Sequence, residues 1–147
     1  FTVLYLDIDE FKEINDTLGH LTGDVFLMEV AQRLQSCLRP GDVVARLGGE
    51  EFVLLLRGQE ATRRAEALRQ AIPRIVASDV PALDRMVTAS MGVIELPRAA
   101  SGLMSFEAIY ARADELLYEA KAAGRNRMLY ERLTLFEAPG GRVVATA

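Results

Sequence analysis

The stretch "ARLGGEEFVLLL", Ala45 to Leu56, restricts the fold more than any other part of the chain. Two apolar runs flank Gly48-Gly49, and a glycine pair between strand-like runs reverses the chain tightly. "DVVARL" and "EFVLLLRG" are therefore expected to form a β-hairpin, so at least part of the sheet is antiparallel. A hairpin needs the glycines. It does not need two carboxylates at its tip, where Glu50 and Glu51 repel one another.

The other segments can be read around this hairpin. "FTVLYLDI", Phe1 to Ile8, is apolar and rich in β-branched and aromatic residues, which predicts a buried strand. Asp9 is expected to cap the next helix or to accept a structural hydrogen bond, with that helix running from Glu10 to near Gly19. Val25, Leu27, Met28, Ala31, Leu34 and Leu38 give a second helix one buried face, and Pro40-Gly41 ends it. After the hairpin come an amphipathic helix from Glu60 to Ala77 with Pro73 near its end, a strand within "RMVTASMGVIEL", and a helix from Ser105 stopped by Gly124. "RNRMLYERL" reads as a last short strand, and the tail from Phe136 as loose. Ala113, Leu117 and Tyr118 read as core, His20 as packing the turn after the first helix, and Arg46 as half of a structural ion pair. The predicted class is α+β: helices covering a central, mostly antiparallel sheet, with the hairpin tip and the end of the first strand at positions where they can meet.

Composition narrows the function. A chain of 147 residues suits one core. A net charge of -4 argues against binding to nucleic acid or an anionic membrane, but not against a small polyanion held by a few placed cations. Cys37 is the only cysteine, so neither an internal disulfide nor a cysteine zinc cluster can form. No apolar run is long enough to span a bilayer. The chain opens on its first strand, which predicts a domain whose start lies upstream.

Asp7 ends an otherwise apolar strand, where a charge must be solvated, paired or metal-bound. If Asp7 meets Glu50 and Glu51, three carboxylates converge, and hard oxygen ligands select Mg²⁺ or Mn²⁺, whose shell substrate phosphates often complete. The plainer reading is a glycine turn with two solvating glutamates.

Five stretches in register decide between these readings. They are "LDIDEFKEINDTLGH", Gly23-Asp24, "RLGGEEF", "TASMGV" and "ADELLYEAKAAGRNR". Together they resemble the GGDEF domain of the diguanylate cyclases over residues 1–132, leaving 133–147 as a C-terminal tail. The resemblance implies a fold like the palm of nucleotide polymerases and condensation of two GTP to cyclic di-GMP with release of two pyrophosphates. It implies metal binding by Asp7, Glu50, Glu51 and the Ile8 carbonyl, with Glu51 also near the 3′-hydroxyl. Asn15 and Asp24 would read the guanine edge, the Gly48-Gly49 backbone would let the nucleotide approach, and Lys12, Lys121, Arg125 and the Phe11 backbone would face the β- and γ-phosphates. Read alone, Asn15 is an exposed helix residue and Asp24 a plain cap. "RPGD", Arg39 to Asp42, is similar to the family's RxxD product-inhibition site. Its second arginine aligns with Ala67 here; Arg63, Arg64 and Arg69 are neighbours, and Arg69 is taken as the substitute.

The resemblance further implies a homodimer, because each domain holds one GTP, and a sensory or receiver domain that controls the pairing. It implies a cytoplasmic domain, which can belong to a membrane-anchored bacterial signalling protein. A family segment similar to "LTGLPNR" precedes the first strand and does not occur here, so weak activity of this fragment is expected. The alternative is a non-catalytic module that binds GTP or cyclic di-GMP. Such modules lose a metal carboxylate or a motif glycine, whereas Asp7, Gly48, Gly49, Glu50 and Glu51 are all present.

Overall fold

The structure, a computed structural model, describes residues 1–98, 102–138 and 142–146. Its elements are β1 (Thr2–Ile8), α1 (Phe11–Leu18), α2 (His20–Ser36), β2 (Val43–Gly48), β3 (Glu51–Leu56), α3 (Ala61–Ala71), β4 (Ala89–Glu95), α4 (Phe106–Ala122), β5 (Met128–Arg132), β6 (Thr134–Ala138) and β7 (Arg142–Thr146).

Five strands form one sheet in the order β2-β3-β1-β4-β5. Three of the four pairings are antiparallel and only β4 with β5 is parallel, as the α+β class predicts. Every residue of the central β1 is buried. Successive side chains of a strand leave opposite faces. Leu4, Leu6 and Ile8 accordingly pack with Phe11 and Ile14 of α1, Phe26 and Val30 of α2, and Ala65 and Leu68 of α3. Val3 and Tyr5 pack on the other face with Ile109, Ala113, Leu116 and Leu117 of α4. Each fully buried leucine or phenylalanine contributes about 1.5–3 kcal/mol against its exposed state. The alternation also decides the site, because Asp7 is in phase with Val3 and Tyr5 and so leaves the sheet on the α4 side.

Several expectations need correction. Tyr118 is 75% exposed, while Ala113 and Leu117 are buried as read. The inward stripe of α4 is Ile109, Ala113, Leu116, Leu117 and Ala120, and position 118 falls a further 100° round the helix. Where the tail from Phe136 is described it does not run loose, since β6 and β7 pair antiparallel; residues 139–141 and 147 lie outside the described residues. Helix α3 stops at Ala71, two residues before Pro73, which cannot supply a helical N–H. Asp9 caps nothing. Glu10 holds the N-cap position with φ 55°, and no side chain caps α1. His20 is exposed at the start of α2 rather than packed. No helix among the described residues is long and apolar enough to cross a membrane.

Candidate active site

The antiparallel register of β1 and β3 sets Asp7 directly opposite Glu51. The Ile8 N–H donates to the Glu50 carbonyl at 3.2 Å, which fixes the hairpin tip beside the end of β1. Gly48 and Gly49 make the turn with φ of 148° and 51°, and a side chain at either would be strained. The sequence-level juxtaposition of Asp7, Ile8, Glu50 and Glu51 is thus formed.

Asp7 is 5% exposed. The Lys121 ammonium, from the last turn of α4, donates to Asp7 Oδ2 at 2.8 Å. Burial pushes the Asp7 carboxyl above its ordinary range, Lys121 draws it back down, and the charges of Glu50 and Glu51 push it up again. A residue that the sequence reading missed adds to this cluster. Tyr5, one alternation before Asp7, meets Tyr110 edge-on with ring centroids 5.0 Å apart, and its phenol is pushed up first by burial and then by its neighbours Tyr110 and Glu51. The signal was present in the period of two along β1.

Among the described residues, no group of three or more His, Cys, Asp or Glu side chains is arranged to enclose a metal ion. The carboxylates therefore interact by charge without forming a closed cage. The donors still suit Mg²⁺ or Mn²⁺. Such ions bind through one or two carboxylates and keep room for water and phosphate oxygens. Asp7 moreover already attracts a cation, the Lys121 ammonium.

On the other side of β1, α1 and α2 bring Asn15 against Gly23. A Cβ on Gly23 would collide with Asn15 Oδ1 and stand 3.2 Å from Phe11 Cζ. Asn15 Oδ1 is the one buried side-chain polar atom without a hydrogen-bond partner among the described residues. The plain reading of Asn15 as a solvated helix residue therefore fails. So does Asp24 as a cap: it is exposed inside α2, whose N-cap is Gly19. Lys12 and Arg125 are exposed, and Phe11 opens the uncapped N-terminus of α1.

The motif Arg39 to Asp42 lies after α2, as expected, but its two charges have different surroundings. The Asp42 side chain is 1% exposed, pairs with buried Arg64, and accepts from the backbone N–H groups of Arg39 and Arg57, both at 2.8 Å. Burial pushes this carboxyl up, yet the three donors win and hold it below its usual range. Arg39 is exposed and 3.9 Å from Glu60. Arg39, Arg63, Arg64 and Ala67 line one groove. Arg69 does not line it. It pairs with Glu66 and donates to Asn126 Oδ1 at 2.6 Å, so the substitution of Arg69 for the missing arginine is corrected: Arg63 is the further exposed arginine of that groove. Arg64, which the sequence offered only as a neighbour of Ala67, is the partner that fixes Asp42. Arg46 makes no ion pair among the described residues and instead donates to the Gly49 carbonyl at 2.8 Å, bracing the turn.

Comparison with known proteins matches this geometry. The family model described as "Diguanylate cyclase, GGDEF domain" matches residues 1–127. The chain is 41% identical over 133 residues to the diguanylate cyclase VdcA of Vibrio cholerae, covering 87% of this chain and 38% of that protein. It is 40% identical over 141 residues to diguanylate cyclase A of Treponema denticola, covering 93% of this chain and 37% of the relative. The chain thus spans well under half the length of these curated relatives. Among solved structures, the active GGEEF domain of a Vibrio cholerae diguanylate cyclase superposes with a TM-score of 0.77 at 32% identity, over 90% of this chain and 83% of that one. The GGDEF domain of DgcB from Caulobacter crescentus, in complex with c-di-GMP, gives 0.73 at 31% identity, over 88% and 76%. With a family model that spans residues 1–127 and relatives about 40% identical over most of its length, the chain belongs to the GGDEF domain family of diguanylate cyclases.

Proposed function

We propose that this domain condenses two molecules of GTP to cyclic di-GMP, one GTP held by each of two facing copies. In each half-reaction the 3′-oxygen of one GTP attacks the α-phosphorus of the other and pyrophosphate leaves. The observation that carries the reading is the orphaned Asn15 Oδ1 beside Gly23. A buried acceptor without a donor is costly unless a ligand supplies one. Asn15 Oδ1 and the Asp24 carboxylate are two acceptors, which match the adjacent N1–H and N2–H donors of guanine. Adenine offers one donor and one acceptor on that edge and would leave a group unpaired.

Asp7, Glu50 and the Ile8 carbonyl would hold a divalent cation, with Glu51 beside them. Such a cation supplies charge neutralisation and a more acidic attacking hydroxyl. Glu51, opposite Asp7, accepts the hydrogen bond of the 3′-hydroxyl. Lys12, Lys121 and Arg125 neutralise the β- and γ-phosphates, helped by the open Phe11 N–H at the N-terminus of α1. The Gly48-Gly49 backbone gives the nucleotide close approach. Product feedback is placed in the groove of Arg39 and Arg63, with Asp42 holding the Arg39 backbone rather than touching the product. The active form is a homodimer in the cytoplasm, governed by a sensory or receiver domain of the full-length protein.

The test is incubation of concentrated protein with GTP and Mg²⁺, following pyrophosphate release and identifying the nucleotide by mass. Cyclic di-GMP supports the reading. A cyclic mononucleotide, or no turnover and no GTP binding, rejects it.

A further inference from the structure

Asp9 is 7% exposed and has no role in the chemistry above. It accepts three hydrogen bonds. Ser90 Oγ donates to Oδ1 at 2.6 Å, Thr88 Oγ1 to Oδ2 at 2.7 Å, and the Asn126 backbone N–H to Oδ2 at 3.0 Å. Its own N–H donates to the Thr88 carbonyl at 2.9 Å. The arrangement belongs to no group of three or more metal-ligating side chains among the described residues. It ties the end of β1 to the start of β4 and to the loop that follows α4.

That loop is strained. Gly124, Arg125 and Asn126 have φ of 119°, 63° and 50°. Two successive non-glycine residues with positive φ persist only when their surroundings determine them. The restraints are visible: Arg125 N–H donates to the Ala120 carbonyl at 3.1 Å, and Asn126 is gripped at its N–H by Asp9 and at its side chain by Arg69. The loop begins three residues after Lys121 and carries Arg125. One short segment, Asp7 to Asp9, therefore sets both the carboxylate on which Lys121 rests and the anchor of the loop bearing Arg125.

We infer that Asp9 is a positioning residue for the triphosphate: by clamping Asn126 it holds the strained Arg125 loop, and hence the phosphate-facing cations, in register with the carboxylates of β1 and β3. This rests on the proposed GTP site.

The chemistry of the clamp gives a discriminating substitution. Hydroxyl groups can turn round and accept, whereas the Asn126 amide can only donate. Asp9→Asn can keep its oxygen on Asn126 N–H and donate its NH₂ to Ser90 Oγ, whereas Asp9→Ala loses every bond. The experiment titrates wild type and variants with 3′-deoxy-GTP, which lacks the attacking hydroxyl, and with GMP, which lacks the β- and γ-phosphates, both in Mg²⁺. Asp9→Ala should weaken 3′-deoxy-GTP binding about tenfold, leave GMP unchanged, and expose the Asn126 amide to hydrogen exchange. Asp9→Asn should stay within about twofold of wild type for both nucleotides. An unchanged ratio of the two affinities in Asp9→Ala overturns the inference. So does Asp9→Asn behaving as badly as Asp9→Ala, since that result assigns the role to the charge. If Asp9→Ala does not fold, Arg69→Met loosens the same loop from its partly exposed side and should weaken 3′-deoxy-GTP selectively by about threefold; no selective loss overturns the inference. Wild-type protein that binds neither nucleotide overturns the functional reading itself.

Discussion

The Lys121 ammonium rests 2.8 Å from Asp7 Oδ2, joining residues 114 positions apart. Without Lys121 the buried Asp7 carboxylate would face only the like charges of Glu50 and Glu51. A cation is thus already required at this carboxylate before any ligand arrives.

The Asp7 carboxyl is raised, so its contribution to stability is full below the unfolded-state value, near 4, and is lost as pH rises through the folded-state value. Metal-free Asp7→Asn should therefore melt above wild type at pH 7.5, with the difference shrinking toward pH 4, and should make no product. Mg²⁺ should raise the melting temperature of wild type and not that of the variant. Melting curves against pH check this, and a pH-independent difference would sink it.

Glu50→Gln removes a carboxylate at the turn while keeping its size. Turnover should fall at least about 100-fold with a melting temperature within 2 °C of wild type, the scale seen when one group stabilising transition-state charge is removed. Normal product formation would show that Glu50 is not needed to hold a cation.

Gly23→Ala adds a methyl group that meets Asn15 Oδ1 and stands 3.2 Å from Phe11 Cζ. It should cost about 1–3 kcal/mol of stability, as overpacking does, and raise KM for GTP at least tenfold. Asn15→Ala removes the orphaned acceptor instead. It should leave the melting temperature nearly unchanged while weakening GTP binding about 100-fold. Tight GTP binding by Asn15→Ala would remove the base-recognition claim.

Arg39 and Asp42 share one short motif, but their surroundings separate their effects. Asp42→Ala leaves Arg64 as a buried unpaired charge and should cost about 3–5 kcal/mol. Its carboxyl is held below the usual range, so this stabilisation is present above the ordinary value and is lost as pH falls through the depressed one. Arg39→Ala should cost under about 0.5 kcal/mol, since its pairing with Glu60 is exposed, and should relieve product inhibition while leaving the initial rate intact. Denaturant melts and progress curves with added cyclic di-GMP would separate the two. An unchanged inhibition curve for Arg39→Ala would remove the groove from the feedback proposal.

Where function was written in local pattern, it could be read from the sequence. The apolar runs around Gly48-Gly49 gave the hairpin, and the end of the first strand gave Asp7; their register then brought Asp7 opposite Glu51. What was hidden depends on contacts remote in sequence. Asp9 looks like a cap beside its helix, but its partners are 79, 81 and 117 residues away. Arg69 follows Leu68 by one residue, yet one step turns it 100° round α3, away from the groove with Arg39. In the tail, glycine and alanine content hid a strand pair that includes the β-branched Val143 and Val144.

The central place of β1 has a kinetic consequence. Its neighbours are Glu51–Leu56 on one edge and Ala89–Glu95 on the other, so the strand cannot complete its hydrogen bonding until loops of roughly 50 and 90 residues close. Pairings so distant along the chain slow folding, and no early hairpin or helix contains Asp7 with both of its neighbours. The carboxylates are assembled only when the whole sheet is, so a chain still emerging or partly unfolded can close the Gly48-Gly49 turn without yet setting Asp7 opposite Glu51.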